Sequence, residues 1–271
     1  MAMSAQTSAY ETIRVVAEGA VEWLTLDRPD RLNALTGQMV FELWDYFSAK
    51  QSDGKCRVIV IQGAGRAYCA GLDLNAGNLR HTPPANSEKR SGEASLLEIV
   101  KLMRSCPQPI VSLVHGAACG GGFVLALASD IRLAGRSARM NVAFVKLGLS
   151  GCELGVSYFL PRMVGLSVAR ELMMTGRFIG AERALATGLV SEVVDDEDLP
   201  AAARALVEDM LQTSPTGLRR TKETFELTLE IDNLETVMRL EEHTQLLCLQ
   251  SPDFDEARAA FLEKRPPKFG S

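Results

Sequence analysis

Gln108-Pro-Ile-Val-Ser-Leu-Val114-His-Gly116-Ala-Ala-Cys-Gly120-Gly-Gly122-Phe-Val-Leu-Ala-Leu-Ala-Ser129-Asp-Ile-Arg-Leu-Ala134 is the stretch on which the reading of this chain turns. Pro109 to Val114 is a short apolar run rich in β-branched residues, which predicts a buried strand. His115-Gly116 closes it with a turn signal. Phe123 to Ser129 is apolar all round, as a helix enclosed by core must be. The three glycines before it, Gly120 to Gly122, are costly in backbone entropy unless something must approach the main chain closely. The N–H groups of a helix's first turn lack intrahelical partners and lie at the positive end of its dipole, so they suit a developing negative oxygen. The alternative is a tight strand–helix turn packed against a neighbouring element.

The same pattern occurs once upstream. Arg57 to Ile61 predicts a buried strand, and Gly63-Ala-Gly65-Arg-Ala-Tyr-Cys69-Ala-Gly71-Leu-Asp-Leu74 leaves it. Strand and Gly-rich exit thus recur at 57–74 and 109–129, which reads as a repeated structural turn. A dinucleotide fingerprint fails, because Tyr68 stands where the third glycine after Gly63-x-Gly65 belongs. A P-loop fails for want of Gly-Lys-Ser/Thr. Tyr10 to Ala17 and Ala20 to Leu26 predict a hairpin around Glu18-Gly19, and Thr36 to Ala49 a helix with Met39, Leu43, Tyr46 and Phe47 at helical spacing. His81 to Glu93 is polar and Pro/Ser-rich, a surface loop, and Leu96 to Ser105 predicts a helix ended by Cys106-Pro-Gln-Pro.

Downstream, Asp130 to Ala134, Ala138 to Asn141 and Leu189 to Val194 predict short strands, with helices at Ser167–Thr175 and Ala181–Thr187. From Leu199 to Leu262 the chain reads as helical, broken at Ser214-Pro215, Asp232-Asn233 and Ser251-Pro252. The class is α/β, with a core over 1–198 and a helical region over 199–271.

The 271 residues are 46% hydrophobic and 23% charged, an ordinary globular composition. A net charge of −5 gives no basic footprint for nucleic acid and no polybasic membrane patch. No apolar run approaches the ~18 residues that span a bilayer. Met1 to Tyr10 lacks the basic start and apolar centre of a secretory signal. Six cysteines without C-x-x-C pairs point to a reduced, cytoplasmic setting and no structural zinc.

Several stretches together carry a resemblance: Arg28-Pro29 with Leu32-Asn-Ala-Leu35, Cys69-Ala-Gly-Leu-Asp-Leu74, and His115-Gly116 with Gly120-Gly-Gly122. Ser129-Asp-Ile131, Leu160-Pro-Arg162 with Gly165, and Ala184-x3-Gly188-Leu-Val190 extend it over roughly 11–268. In these the chain resembles the crotonase superfamily, the enoyl-CoA hydratase/isomerase family. The resemblance implies a spiral of ββα turns followed by a helical trimerisation region, assembled as homotrimers or dimers of trimers. It also implies an acyl-CoA or enoyl-CoA thioester as ligand, with no cofactor beyond the coenzyme A of the substrate. By motif position the backbone N–H groups of Leu72 and Gly121 would form an oxyanion hole for the thioester carbonyl. Ala70, Asp73 and Leu74 would line the adenine side. Arg28, Arg31 and Lys264 from a neighbouring subunit are candidates for the CoA phosphates, although solvated surface is the other reading of these basic residues.

The chain departs from the family's hydratases where they carry two glutamates. By motif position Val124 and Phe144 stand in those places, beside Gly120 on the acyl side. Hydration needs a water held between two carboxylates, so ordinary two-glutamate hydration is not expected. One carboxylate remains. Counted back from Leu160-Pro-Arg162, Glu153 falls where some isomerases and a dehalogenase of the family carry a catalytic aspartate. Counted forward from Gly148 it lies one residue too far, which requires an insertion.

Placed among Leu149, Cys152, Leu154 and Phe159, Glu153 should be desolvated and its pKa raised, as suits a general acid or base. The alternative is a first-turn glutamate capping the next helix. Cys152 reads as a buried small residue, since no histidine is placed to activate it. Ser157 lacks the G-x-S-x-G elbow of a hydrolase. The expected function is an acyl/enoyl-CoA enzyme in which one carboxylate shifts a Δ3/Δ2 double bond, and a non-catalytic acyl-CoA binder is the alternative. Apolar residues at 124 and 144 predict a greasy pocket for a longer or bulkier acyl group.

Overall fold

A computed structural model describes residues 10–75 and 95–270, so the loop expected at His81–Glu93 lies outside the described residues. In chain order the elements are β1 (Ile13–Glu18), β2 (Val21–Leu26), α1 (Gly37–Lys50), β3 (Val58–Gly63), α2 (Leu96–Ser105), β4 (Ile110–Val114), β5 (Ala117–Cys119), α3 (Gly121–Ala128), β6 (Ile131–Gly135) and β7 (Arg139–Asn141). They continue as α4 (Val156–Thr175), β8 (Ile179–Gly180), α5 (Ala181–Ala186), β9 (Glu192–Val194), α6 (Leu199–Leu211), α7 (Pro215–Thr228), α8 (Leu234–Leu249) and α9 (Pro252–Glu263).

The main sheet runs β1-β2-β3-β4-β6-β9, antiparallel only between β1 and β2. A small sheet, β5-β7-β8, stands beside it. Parallel strands buried on both faces need apolar side chains at every position. Here Ile59 and Ile61 join the cluster formed with α1, α2 and α3, whereas Val58 and Val60 join Leu199, Ala203 and Val207 of α6 on the other face. The two-residue side-chain period of a strand accounts for that division. Each fully buried Val, Leu or Ile among these contributes about 1.5–3 kcal/mol of transfer free energy.

Residues that read as breaks in the helical region are its caps. The Ser214 hydroxyl accepts from Gly217 N at 2.8 Å with Pro215 following, and Asn233 Oδ1 accepts from Thr236 N at 2.9 Å. Thr36 and Ser95 do the same for α1 and α2. One helix differs from the reading. The helix expected at Ser167 is the second half of α4, which begins at Val156. Gly165 (φ 75°, ψ 163°) interrupts it, and Pro161 lies inside the first half, so the helical period is broken in the sequence although the axis continues across a kink.

The end of the chain is tied back by Glu256, whose carboxylate accepts from Arg265 Nη1 at 2.6 Å and from Lys268 N at 2.6 Å. These donors hold its pKa near 2, against 4.5 for an ordinary glutamate. A depressed carboxylate pKa stabilises the folded form above the unfolded value, and that contribution is lost as pH falls from about 4.5 toward 2. Carbon-13 carboxyl titration should show Glu256 still charged at pH 3.5, with protection of the last turn of α9 lost below that. Titration near 4.5 would mean that the pair does not form.

Candidate functional site

The chemistry of the site is set by three short segments lying side by side. Residues 69–73 run between 32–35 and 117–121. On one side Cys69 N donates to Ala117 O at 3.0 Å and Cys119 N to Cys69 O at 2.9 Å. On the other, Ala70 N donates to Leu32 O, Leu35 N to Gly71 O at 2.8 Å, and Asp73 N to Leu35 O at 2.9 Å. The 35–72 contact is a single parallel bridge, not a ladder.

Peptide planarity then fixes where one donor points. In a trans peptide the carbonyl oxygen and the next N–H face opposite ways. Gly71 O faces Leu35, so the Leu72 N–H faces away from it. Gly121 lies close to Gly71, whose φ is +91°: a Cβ added at Gly71 would meet Cys119 O at 2.7 Å and Gly121 N at 3.6 Å. Gly121 begins α3, so its N–H has no intrahelical acceptor. Among the described residues neither the Leu72 nor the Gly121 N–H donates to a protein acceptor. The side chains of Leu35 and Leu96 pack against Gly121, so the residue that bridges to Leu72 also touches the second donor.

Close approach explains the glycine that follows. A Cβ at Gly122 would stand 2.3 Å from Cys69 O and 2.6 Å from Cys69 Cβ, so any side chain would separate the two donor segments. Gly122→Ala is therefore expected to lower kcat by about 10²–10³, the cost of losing one such donor, without melting α3, since Ala favours helix. Turnover measured beside circular dichroism checks this, and a variant with wild-type kcat would show that the spacing is not critical. Tyr68, which spoils the dinucleotide pattern, is a core residue whose hydroxyl pairs with Ser112 Oγ at 2.9 Å, itself 2.7 Å from Ser129 Oγ. Burial pushes the Cys69 thiol up to about 12, which leaves it a packing residue.

The other expected residues divide into those near the donors and those elsewhere. Gly120 accepts from Val124 N at 2.9 Å, and a Cβ on Gly120 would meet the Phe144 ring at 3.5 Å. Gly120, Val124 and Phe144 thus cluster at the start of α3, all three buried and Val124 fully so. Ala70 and Asp73 are half-buried in the donor strand, and Leu74 beyond them is exposed. Arg28 is not a free cation, because its guanidinium bonds Asp73 Oδ2 at 3.1 Å and Ala34 O at 2.5 Å. Arg31 is exposed in a short 3-10 turn, and Lys264 is exposed at the end of α9 beside the bare Phe261 and Leu262.

Glu153 is where the structure departs furthest from expectation. It is exposed, as are Leu149 and Cys152, so the desolvation expected of it and the burial expected of Cys152 are both absent in a single chain. The segment forms a turn with Leu154 at φ 52° and Gly155 at φ 85°, and Val156 N donates to the Glu153 carbonyl at 3.0 Å. The reading of Glu153 as a first-turn cap is not met either, because α4 starts at Val156 with Gly155 at its N-cap and has no acidic residue in its first turn.

Sequence reasoning gave no separate role to Asn33. Its fully buried side chain donates to Ala64 O and Ala67 O, both at 2.8 Å, and accepts from Arg28 N at 2.9 Å. Its φ of 55° lies in the left-handed region that asparagine tolerates, so an asparagine in a turn-rich loop is the signal the sequence offered. Among the described residues no cluster of His, Cys, Asp or Glu is placed to hold a metal, and no helix is long and apolar enough to cross a membrane.

The family model for enoyl-CoA hydratase/isomerase matches residues 17–271. The chain therefore belongs to the enoyl-CoA hydratase/isomerase family, and it is an enzyme of the lyase or isomerase type. It is 38% identical to a 1,2-epoxyphenylacetyl-CoA isomerase of Escherichia coli, over 93% of this chain and 95% of that one. It is 40% identical to a probable enoyl-CoA hydratase of Mycobacterium tuberculosis, over 91% of this chain and 88% of that one. The crystal structure of an enoyl-CoA hydratase from Bacillus anthracis superposes with a TM-score of 0.86 at 30% identity, covering 96% of this chain and 99% of that one. The fold is the crotonase fold that the sequence motifs imply.

Proposed function

We propose that the protein binds an acyl- or enoyl-CoA thioester, holds its carbonyl at the Leu72 and Gly121 N–H groups, and moves a proton with Glu153. The observation that supports this reading is the nearness of two N–H groups without a protein acceptor among the described residues, one turned away from Leu35 by its own trans peptide and one at a helix start. Two donors aimed at one oxygen stabilise the enolate that forms when a proton leaves the α- or γ-carbon. With valine and phenylalanine at 124 and 144, where the family's hydratases carry glutamates, a double-bond shift by a single carboxylate is favoured over hydration. That one carboxylate can remove the proton and return it. The apolar Val124 and Phe144 favour a longer or bulkier acyl group.

Glu153's exposure in the single chain favours a second reading, an acyl-CoA binder that kept the donors and lost the chemistry. The test is turnover of 3-enoyl-CoA against 2-enoyl-CoA, with acyl-CoA binding followed in parallel. Turnover preferring the 3-enoyl substrate supports the isomerase reading, and preference for the 2-enoyl substrate supports hydration. Tight binding without turnover of either supports the binder.

Association into homotrimers or dimers of trimers is part of the same proposal. None of the residues of α8 is buried, and Leu234, Met238, Leu246 and Leu249 are each at least half exposed. Apolar surface left on that scale asks for a partner. Sedimentation should give a mass a multiple of three times the monomer, and a monomer would remove the assembly from the proposal.

A further inference from the structure

Arg28 and Asp73 are joined in a ring that closes on the donor strand. The Arg28 guanidinium donates to Asp73 Oδ2 at 3.1 Å and to Ala34 O at 2.5 Å, while Asp73 N donates to Leu35 O at 2.9 Å. The Arg28 main chain is fixed as well, since its N–H donates to Asn33 Oδ1 and its carbonyl accepts from Asn33 N, both at 2.9 Å. The two side chains are only 22% and 12% exposed. Both ends of the guanidinium are therefore committed to protein acceptors on the segment 34–35 and on the residue next to Leu72.

The site needs such a tie. The direction of the Leu72 N–H depends on Gly71 O staying on Leu35 N, and the 35–72 contact is one isolated bridge. A single bridge without a ladder is a weak constraint on a peptide that carries a glycine at φ +91°. A charge-assisted bond from Arg28 to the very next residue holds residues 34–35 and 73 together, which limits how far the peptide between Gly71 and Leu72 can move away from Leu35.

We propose that Arg28 and Asp73 are positioning residues that orient the Leu72 N–H toward the substrate carbonyl, and that Arg28 is not a ligand of the CoA phosphates. This rests on the reading of Leu72 and Gly121 as the carbonyl donors. Nearby Arg31, which is exposed, is left as the candidate on this loop for the phosphates.

The test compares Arg28→Met, Asp73→Asn and the double variant with wild type by three readouts. These are the affinity for CoA and for 3′-dephospho-CoA by calorimetry, the C=O stretching frequency of a bound saturated acyl-CoA by difference infrared, and kcat on 3-enoyl-CoA. The expected result is an unchanged ratio of the affinities for CoA and 3′-dephospho-CoA in every variant, because neither side chain meets the 3′-phosphate. The wild-type protein shifts the carbonyl band to lower frequency, and each single variant loses most of that shift and about 10–100-fold in kcat. The double variant is no worse than either single one, because both break one device. Arg28→Lys, which keeps the charge, recovers part of the shift and guards against a loss due only to misfolding.

The clamp is overturned if the band shift and kcat survive in the variants. It is also overturned if Arg28→Met weakens CoA more than dephospho-CoA while Asp73→Asn weakens neither. A wild-type protein that binds acyl-CoA with no carbonyl shift overturns the donor-pair reading itself, and the clamp with it.

Discussion

Glu153→Gln is expected to lower kcat on the preferred enoyl-CoA by about 10²–10⁴-fold while leaving acyl-CoA affinity nearly unchanged. Gln keeps the size and shape of Glu but can neither take nor return a proton. The substitution should not disturb the fold. Glu153 is exposed, and what the turn asks of this residue is the main-chain carbonyl that accepts from Val156 N at 3.0 Å, which Gln retains. Exposed changes of this kind usually move stability by no more than about 0.5 kcal/mol, so thermal unfolding should match wild type and the loss can be assigned to chemistry.

Exposure also says what else the reaction requires. A carboxylate in open water is a weak base and a poor proton carrier to carbon, and covering it removes competing water. Leu147 and Leu149, 53% and 56% exposed on the same loop, are apolar surface that a bound acyl chain or a neighbouring copy would cover. Glu153→Ala should then regain part of its activity when formate or acetate is added, because a small carboxylate can occupy the emptied place. If Glu153→Gln keeps kcat within about threefold of wild type, the proton is carried elsewhere and Glu153 is only a turn residue.

The contrast between Leu72–Gly121 and Glu153 shows what the sequence could and could not convey. The Gly121 N–H, unpaired among the described residues, was legible because a glycine run before an apolar helix is a local signal, and Gly122 explains part of that run through contact with Cys69. The strands around it were legible for the same reason, as were the helix breaks at Ser214-Pro215 and Asp232-Asn233, whose residue types cap helices wherever they occur. The direction of the Leu72 N–H was not legible. It comes from Leu35, far away in the chain, through one bridge that leaves no period in the sequence. The short strands β5 and β8 were missed because Ala117-Ala-Cys119 and Ile179-Gly180 are too short and too small to show alternation. Glu153 reads as desolvated because its neighbours in sequence are apolar, but they do not enclose it in space. The left-handed Leu154 and Gly155 turn the chain so that Leu149, Cys152 and Glu153 all remain exposed. The Arg28 ion pair was not legible for a similar reason, since a basic residue in a turn-rich loop reads as free until its carboxylate partner, 45 residues on, is seen.

Lys222→Met is expected to destabilise the protein by about 3 kcal/mol, at the low end of the cost of breaking a buried ion pair. The Lys222 ammonium on α7 has three protons and three acceptors: Asp130 Oδ2 at 2.8 Å, Gln108 O at 2.9 Å and Met103 O at 3.1 Å. Its side chain is 6% exposed, so water cannot substitute for any of them. Removing the amine leaves a carboxylate and two carbonyls short of a donor. The low end applies because Asp130 is 19% exposed, keeps Ile110 N at 2.7 Å, and has Arg104 at 3.7 Å.

The location gives this loss its reach. Gln108 and Asp130 bracket the strand and helix that open onto Gly121, and Asp130 N donates back to Ile110 O at 2.9 Å. Lys222 thus fastens α7 to both ends of the element that presents the second donor. Urea unfolding at fixed protein concentration should show a lower midpoint with an unchanged slope. Asp130→Asn combined with Lys222→Met should cost less than the sum of the two single variants, since removing both charges leaves neither one buried alone. A loss under about 1 kcal/mol for Lys222→Met would mean that the ammonium gains no more from its three acceptors than it loses in leaving water.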